Sequence, residues 1–229
     1  MPNEFLTPLQ RTFLEHFFAA PVGQRFFLTG GTALAAFHLH HRLSDDLDLF
    51  THDDDALAEV DRCIEEMASR LGWGIKRARR AEHFRQFLFT SQANENEEEV
   101  LQVDMVHEFG PQYGQREVIG GIIVDTIENI GANKVTAILG RTSSKDFVDL
   151  YFILEAGYDF EELFTKAQQK DLGLIEFHFT GALLQVNKLA RLPEMRKPLD
   201  LLTLRSFFTS IANEMLDRLD PKVSRLGNW

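Results

Sequence analysis

The stretch "DLDLF", Asp46 to Phe50, alternates charged and apolar residues with a period of two, the spacing of a β-strand. Asp46, Asp48 and Phe50 then face one way, and Leu47 and Leu49 the other. An uncompensated charge costs several kcal/mol or more to bury, so ordinary packing gives no reason for two aspartates there. Either a cation sits between them or the spacing is accidental.

The surrounding pattern favours the cation. Upstream, "RFFLT" reads as a short strand running into Gly30-Gly31, and "TALAAFHLHH" as a helix with Thr32 near its start. Glycines there can bring backbone N–H groups close to a phosphate, and Thr32 adds a hydroxyl. The spacing fits neither the phosphate loop ending in Gly-Lys-Ser/Thr nor a dinucleotide fingerprint. Downstream, "FRQFLFTS" and "EVLQVDMV" read as two strands joined by a polar loop over 92–98. The second carries Asp104, with Gln102 and Val106 on its face and Leu101, Val103 and Met105 opposite. A third carboxylate on an alternating apolar strand is more informative than any one aspartate.

Helices are expected over 8–20, 55–70, 144–156, 160–169, 172–189 and 200–219, with a strand over 73–78. In "GGIIVDTIENIGANKVTAILGR" a short strand precedes a further helix. The organisation predicted is an α+β domain over 1–125, followed by a mainly helical domain over 126–229 that contributes to the cleft. Pro193 and Pro198 mark a linker between two of the later helices.

The single Cys63 excludes an internal disulfide and a cysteine cluster for zinc. "HLHH" supplies His38, His40 and His41, but adjacent helical residues point in different directions, so zinc is not expected. No signal peptide or membrane-length apolar run is visible, and the expectation is a soluble cytoplasmic protein without a membrane contact. A formal net charge of −11 disfavours broad nonspecific nucleic-acid binding. The one dense basic run is "KRARR", Lys76 to Arg80. It is either a solvated strand edge or turn, or a phosphate-facing rim near an active cleft.

Oxygen-only donors on two strands suit Mg²⁺, which retains water and substrate phosphates in its coordination shell. Such a site can activate an attacking hydroxyl while steadying a triphosphate and its leaving oxygen. Asp104 best fits the position near that hydroxyl. A metal-dependent phosphohydrolase would use the same carboxylates, with water in place of the acceptor.

The segment "GGTALAAFHLHHRLSDDLDLF" resembles the signature of the nucleotidyltransferase family that includes AbiEii/AbiGii-type toxins. There a Gly-Gly turn precedes an Arg-x-Ser-x-Asp-Leu/Ile-Asp strand entrance. The matching residues are Gly30, Gly31, Arg42, Ser44, Asp46 and Asp48, with Asp104 in the later-strand position. A second block, a helix lysine before Arg-Asp-x-x-Asp, is matched by Lys134, Asp146 and Asp149. Lys145 stands where arginine is common, which alters any bidentate contact made there. Together the two blocks lie between residues 25 and 155.

The resemblance implies a nucleotidyltransferase-like mixed sheet with flanking helices. It also implies Mg²⁺-dependent transfer of a nucleoside monophosphate from an NTP to an acceptor hydroxyl, in a toxin-like system with a cognate antitoxin or regulator. Candidate acceptors are tRNA, another RNA, a protein or a small molecule. A non-catalytic nucleotide-binding protein is the alternative of a different class. Asp46, Asp48 and Asp104 are then the catalytic and metal-binding residues, and Gly30, Gly31, Thr32, Arg42, Ser44, Lys134 and Asp149 the nucleotide-binding set. Lys134 is the candidate triphosphate contact. Asp149 either holds a lysine or touches the nucleotide, and Asp146 caps or braces the helix.

Overall fold

The computed structural model describes residues 4–94 and 97–219. The chain divides into two compact units, Met1–Phe109 with Gly114–Ile127, and Gly110–Tyr113 with Glu128–Trp229.

The first unit is built on one mixed sheet. Its strands are β1 (Phe27–Thr29), β2 (Leu47–Thr51), β3 (Gly74–Ala81), β4 (Phe84–Asn94), β5 (Glu97–His107), β6 (Glu117–Ile119) and β7 (Ile122–Val124). Among the described residues their order is β3-β4-β5-β2-β1-β7-β6. β2 runs parallel to β5 and antiparallel to β1, and β1 runs parallel to β7.

Alternation along these strands decides which face is core. Leu47 and Leu49, Val103 and Met105, and Phe87 and Phe89 are all buried, and cross-strand register puts them on one face. Helix α1 (Pro8–Ala19) covers that face through Phe13, whose ring meets Phe89 edge-on at 5.1 Å. Thr7 starts α1 with a capping box, in which its hydroxyl accepts from the Gln10 N–H and the Gln10 side chain accepts from the Thr7 N–H. Helix α3 (Ala56–Leu71) buries Leu57, Val60, Ile64 and Met67 and ends at Gly72, whose φ of 68° is the left-handed conformation of a helix C-cap.

Several elements differ from the sequence expectation. The helix expected from Thr32 starts at Gly30 as α2 (Gly30–Ala33) and widens into a π-helical turn over Leu34–Leu39. It stops at His40, which takes a φ of 53° with its ring Nδ1 against the Ala35 carbonyl. The polar loop expected over 92–98 is mostly ladder: β4 extends to Asn94 and β5 begins at Glu97, with residues 95 and 96 outside the described ones. Polar side chains on two mutually paired strands look like a loop when only hydropathy is read. The short β6–β7 hairpin turns on Gly120 and Gly121, whose positive φ values of 61° and 87° suit a tight hairpin turn.

The second unit is helical: α4 (Ile127–Gly140), α5 (Ser144–Glu155), α6 (Phe160–Lys170), α7 (Glu176–Leu183) and α8 (Leu201–Leu219). Phe147 of α5 packs edge-on against Phe208 of α8 at 5.1 Å, and Phe160, Phe164 and Phe179 cluster between α6 and α7. The long helix expected over 172–189 is shorter. Asp171 accepts from the Gly173 N–H and holds a turn, so α7 begins only at Glu176 and gives way to a 3₁₀ turn over Leu184–Lys188. No helix among the described residues is long and apolar enough to cross a membrane.

Phe13 is fully buried against Phe17 and Phe89, so Phe13→Ala leaves a cavity under the sheet. It is expected to lower stability by about 3–5 kcal/mol. Urea unfolding of the full chain reads this, and a loss below about 1 kcal/mol would mean that α1 is not anchored there.

Candidate active site

Strand register brings the sequence-selected aspartates together. Asp48 on β2 is the direct parallel partner of Asp104 on β5, and Thr29 at the end of β1 is the partner of Asp48 on its other side. Adjacent strands lie about 4.8 Å apart, so the backbones carrying the two carboxylates are immediate neighbours. Both aspartates are half-buried, as is Asp46 just before β2.

Residues that the sequence did not single out extend this into a polar row across the sheet. Gln86 on β4 faces Asp104, and its Nε2 donates to Asp104 Oδ1 at 2.9 Å. At the other end, Thr29 Oγ1 donates to Asp125 Oδ2 at 2.7 Å. Asp125 follows β7, is fully buried, and also accepts from the Thr126 N–H at 2.9 Å. Burial raises the Asp104 carboxyl above the ordinary carboxylate range, the Gln86 hydrogen bond opposes that, and the negative charge of Asp46 pushes it up again. Asp46 and Asp104 therefore repel within one site.

The Gly-Gly turn is explained by contact. Gly30 has a φ of 68°, and a Cβ there would strike the Asp48 carboxylate, with Asp48 Cγ only 2.9 Å away. A Cβ on Gly31 would strike the guanidinium of Arg42 and come within 3.0 Å of Ser44 Oγ. Gly30 thus lets the turn lie directly on the acidic strand, and Gly31 lets it lie on the segment that leads into that strand. Thr32 Oγ1 donates to the Asp46 carbonyl, which pins the start of the acidic strand to the turn. Arg42 is almost fully buried and donates from Nη1 to the Leu43 carbonyl at 2.8 Å. Gln10, fully buried on α1, donates to the Ser44 carbonyl at 2.8 Å. Arg42, Ser44 and Thr32 all take part in shaping the segment between turn and strand.

His38 and His40 turn their ring nitrogens toward backbone carbonyls, His38 Nε2 donating to the Asp125 carbonyl at 2.8 Å. Among the described residues, no group of three or more His, Cys, Asp or Glu side chains could by itself hold a metal ion. Mg²⁺ makes a different demand, because it binds through one or two carboxylates and completes its shell with water and phosphate oxygens. The neighbouring Asp48 and Asp104, crowded by the charge of Asp46, fit that donor set.

Lys134, Asp146 and Asp149 lie in the second unit. The Lys134 ammonium sits 2.9 Å from Asp146 Oδ1 and 2.8 Å from Asp149 Oδ2, and both aspartates are fully buried. Asp149 therefore holds Lys134. Arg141, overlooked in the sequence, grips Asp146 with Nε at 2.7 Å from Oδ2 and Nη2 at 3.2 Å from Oδ1. Burial pushes the Asp146 carboxyl up, but the charge of Lys134 and the Arg141 hydrogen bond outweigh it and leave the pKa below the ordinary value.

With this geometry established, comparison with known proteins places the chain. The family model described as "Nucleotidyl transferase AbiEii toxin, Type IV TA system" matches residues 12–221. An uncharacterized protein of Aquifex aeolicus, aq_aa25, is 29% identical over 170 residues, covering 67% of this chain and 70% of its own. The crystal structure of JHP933 from Helicobacter pylori superposes with a TM-score of 0.57 at 22% identity, over 95% of this chain and 93% of that one. MenT4, a nucleotidyltransferase toxin of Mycobacterium tuberculosis H37Rv, superposes with a TM-score of 0.52 at 15% identity, over 95% and 89%. At these identities the structural matches show the shared fold.

Two substitutions test this account of the packing. Gly30→Ala combines a left-handed backbone with a collision at Asp48, and is expected to lower stability by about 1–2 kcal/mol from the backbone alone. A melting temperature equal to that of the unaltered protein would contradict the contact. Lys134→Gln takes the ammonium away from buried Asp149 and leaves Asp146 to Arg141, and is expected to cost about 3–5 kcal/mol near neutral pH. Because the Asp146 pKa is lowered on folding, its stabilisation is complete above the unfolded value and disappears as pH falls through the folded one. Thermal melts at pH 7 and in acid should show the unaltered and Lys134→Gln proteins converging at the acid end.

Proposed function

Because the chain belongs to the AbiEii family of nucleotidyl transferase toxins, we propose that it transfers a nucleoside monophosphate from an NTP to an acceptor hydroxyl with release of pyrophosphate. The observation that carries this is the direct pairing of Asp48 with Asp104 under a turn whose glycine lies against Asp48. Two hard carboxylates beside a close-packed turn suit a polyphosphate and its counter-ion better than a neutral ligand.

In this scheme Asp48 and Asp104, with the charge of Asp46 beside them, are the residues that would hold Mg²⁺, which would neutralise charge on the phosphates. Gly30 and Gly31 let phosphate oxygens approach the backbone, and Arg42, Ser44 and Thr32 fix the turn relative to the acidic strand. The acceptor oxygen attacks the α-phosphorus, a new P–O bond forms, and the bond from that phosphorus to the bridging oxygen of pyrophosphate breaks. Asp104 stands on the acceptor side and helps remove the hydroxyl proton. Lys134 is held by Asp146 and Asp149 within the second unit, where its ammonium ties α4 to α5. The acceptor is tRNA or another RNA, and the activity operates as a cytoplasmic toxin restrained by a cognate antitoxin or regulator.

The test is to incubate the purified protein with Mg²⁺, each labelled NTP and separate pools of tRNA, other RNA, protein and small hydroxyl compounds, following label and pyrophosphate together. Asp48→Asn should reduce transfer by about two to three orders of magnitude while leaving the melting temperature nearly unchanged. Undiminished transfer by that variant would remove Asp48 from the mechanism. NTP binding without labelled product in any pool would favour a non-catalytic nucleotide-binding protein.

A further inference from the structure

The basic run "KRARR" lies on β3, an edge strand of the sheet. Plain alternation would place Arg77 and Arg79 together on one face and Lys76 with Arg80 on the other. The register differs. Lys76 pairs with Leu88 and Arg77 with Phe87, but Arg79 pairs with Gln86 and Arg80 with Arg85. Ala78 is therefore an additional residue in β3, a bulge that shifts the phase of everything after it.

Directly opposed residues share a face, so the bulge sorts the four cations into two pairs. Arg77 and Arg80 fall on the face of Phe87, the core side, where Arg77 pairs with Glu65 of α3 and Arg80 lies 3.6 Å from Asp61. Lys76 and Arg79 fall on the face of Leu88 and Gln86, which is also the face of Asp104 and Asp48. Both are exposed, and neither makes an ion pair with a described residue. Two strand spacings put the Arg79 backbone roughly 10 Å from that of Asp104, with Gln86 between them. The positive charge of Arg79 is felt at the Asp104 carboxyl.

We propose that the face of β3, β4 and β5 beside Asp104 holds the phosphodiester backbone of a single-stranded nucleic-acid end, with Lys76 and Arg79 as its phosphate contacts. This rests on the nucleotidyl-transfer scheme, to which it adds where the acceptor lies. The charge suits such a ligand: the chain carries a formal net charge of −11, yet this face presents two exposed cations on the side of the site. Lys76 and Arg79 oppose residues two apart on β4, about 7 Å along the strand, so each cation takes a different phosphate. A chain of phosphates that follows the edge strand from Lys76 to Arg79 and then turns across Gln86 reaches Asp104.

The experiment is fluorescence anisotropy of a labelled single-stranded RNA with a free 3′ hydroxyl, titrated with the full chain over a range of salt concentrations. Lys76→Gln/Arg79→Gln is compared with Arg77→Gln/Arg80→Gln, which removes the same charge from the other face. The first pair should weaken binding at least about tenfold at low salt and reduce the slope of log K against log[salt] by about 1.4. The second should stay within about twofold. Equal losses in both pairs, or no loss in the first, would overturn the proposal. So would loss of labelled-NTP binding in the first pair, which would reassign these cations to the triphosphate. Acceptor labelling by the unaltered protein, measured separately, distinguishes the two ideas. Labelling without face-selective RNA binding removes this surface and keeps the transferase. Face-selective binding without labelling of any acceptor removes the transferase and keeps the surface.

Discussion

The parallel pairing of β2 with β5 is the constraint on which the first unit turns. It sets Leu47 and Leu49 beside Val103 and Met105 in the core, and the same register sets Asp48 beside Asp104 on the opposite face. A slip of one residue in either strand would send its apolar side chains to the opposite face and its carboxylate into the core. Hydrophobic burial thus enforces the juxtaposition of two like charges, an arrangement that electrostatics alone would not choose. The core supplies the energy that holds the site together.

The carboxylates are tolerated because the row they occupy is polar from end to end. Asp125, Thr29, Asp48, Asp104 and Gln86 follow one another across β7, β1, β2, β5 and β4, with hydrogen bonds fixing the outer members. Gln86 provides an amide donor where an apolar residue would leave Asp104 less well satisfied. The turn completes the arrangement from above: Gly30 and Gly31 have no side chain where Asp48 and Arg42 need the space. Those two glycines are steric requirements of the aspartate and arginine as much as provisions for a ligand.

The second unit handles its buried charge differently. Lys134 stands between Asp146 and Asp149, and Arg141 adds a second cation to Asp146. Two carboxylates at near-zero exposure are held by one ammonium and one guanidinium, so each group is both stabilised and oriented. Lysine at position 145 leaves the fork-shaped contact to Arg141, four residues earlier in sequence than the position where the family pattern has arginine.

Much of this was legible in sequence. The alternation of "DLDLF" and "LQVDMV" determined which aspartates leave the core, and the Gly-Gly turn close before them pointed to a phosphate-type site. Asp149 beside Lys134 followed the spacing of the second block. Thr29, Gln86, Asp125 and Arg141 carried no local signal, because each acquires its role from a partner on another element. The basic run was visible as composition, but its division into core-side and site-side pairs depends on one inserted residue, Ala78, that is detectable only from the partner strand. Periodicity along a chain determines which side chains share a face of one strand. Which strand lies beside it, and in what register, is decided by the packing of the whole sheet, since ladder hydrogen bonds join residues far apart in sequence.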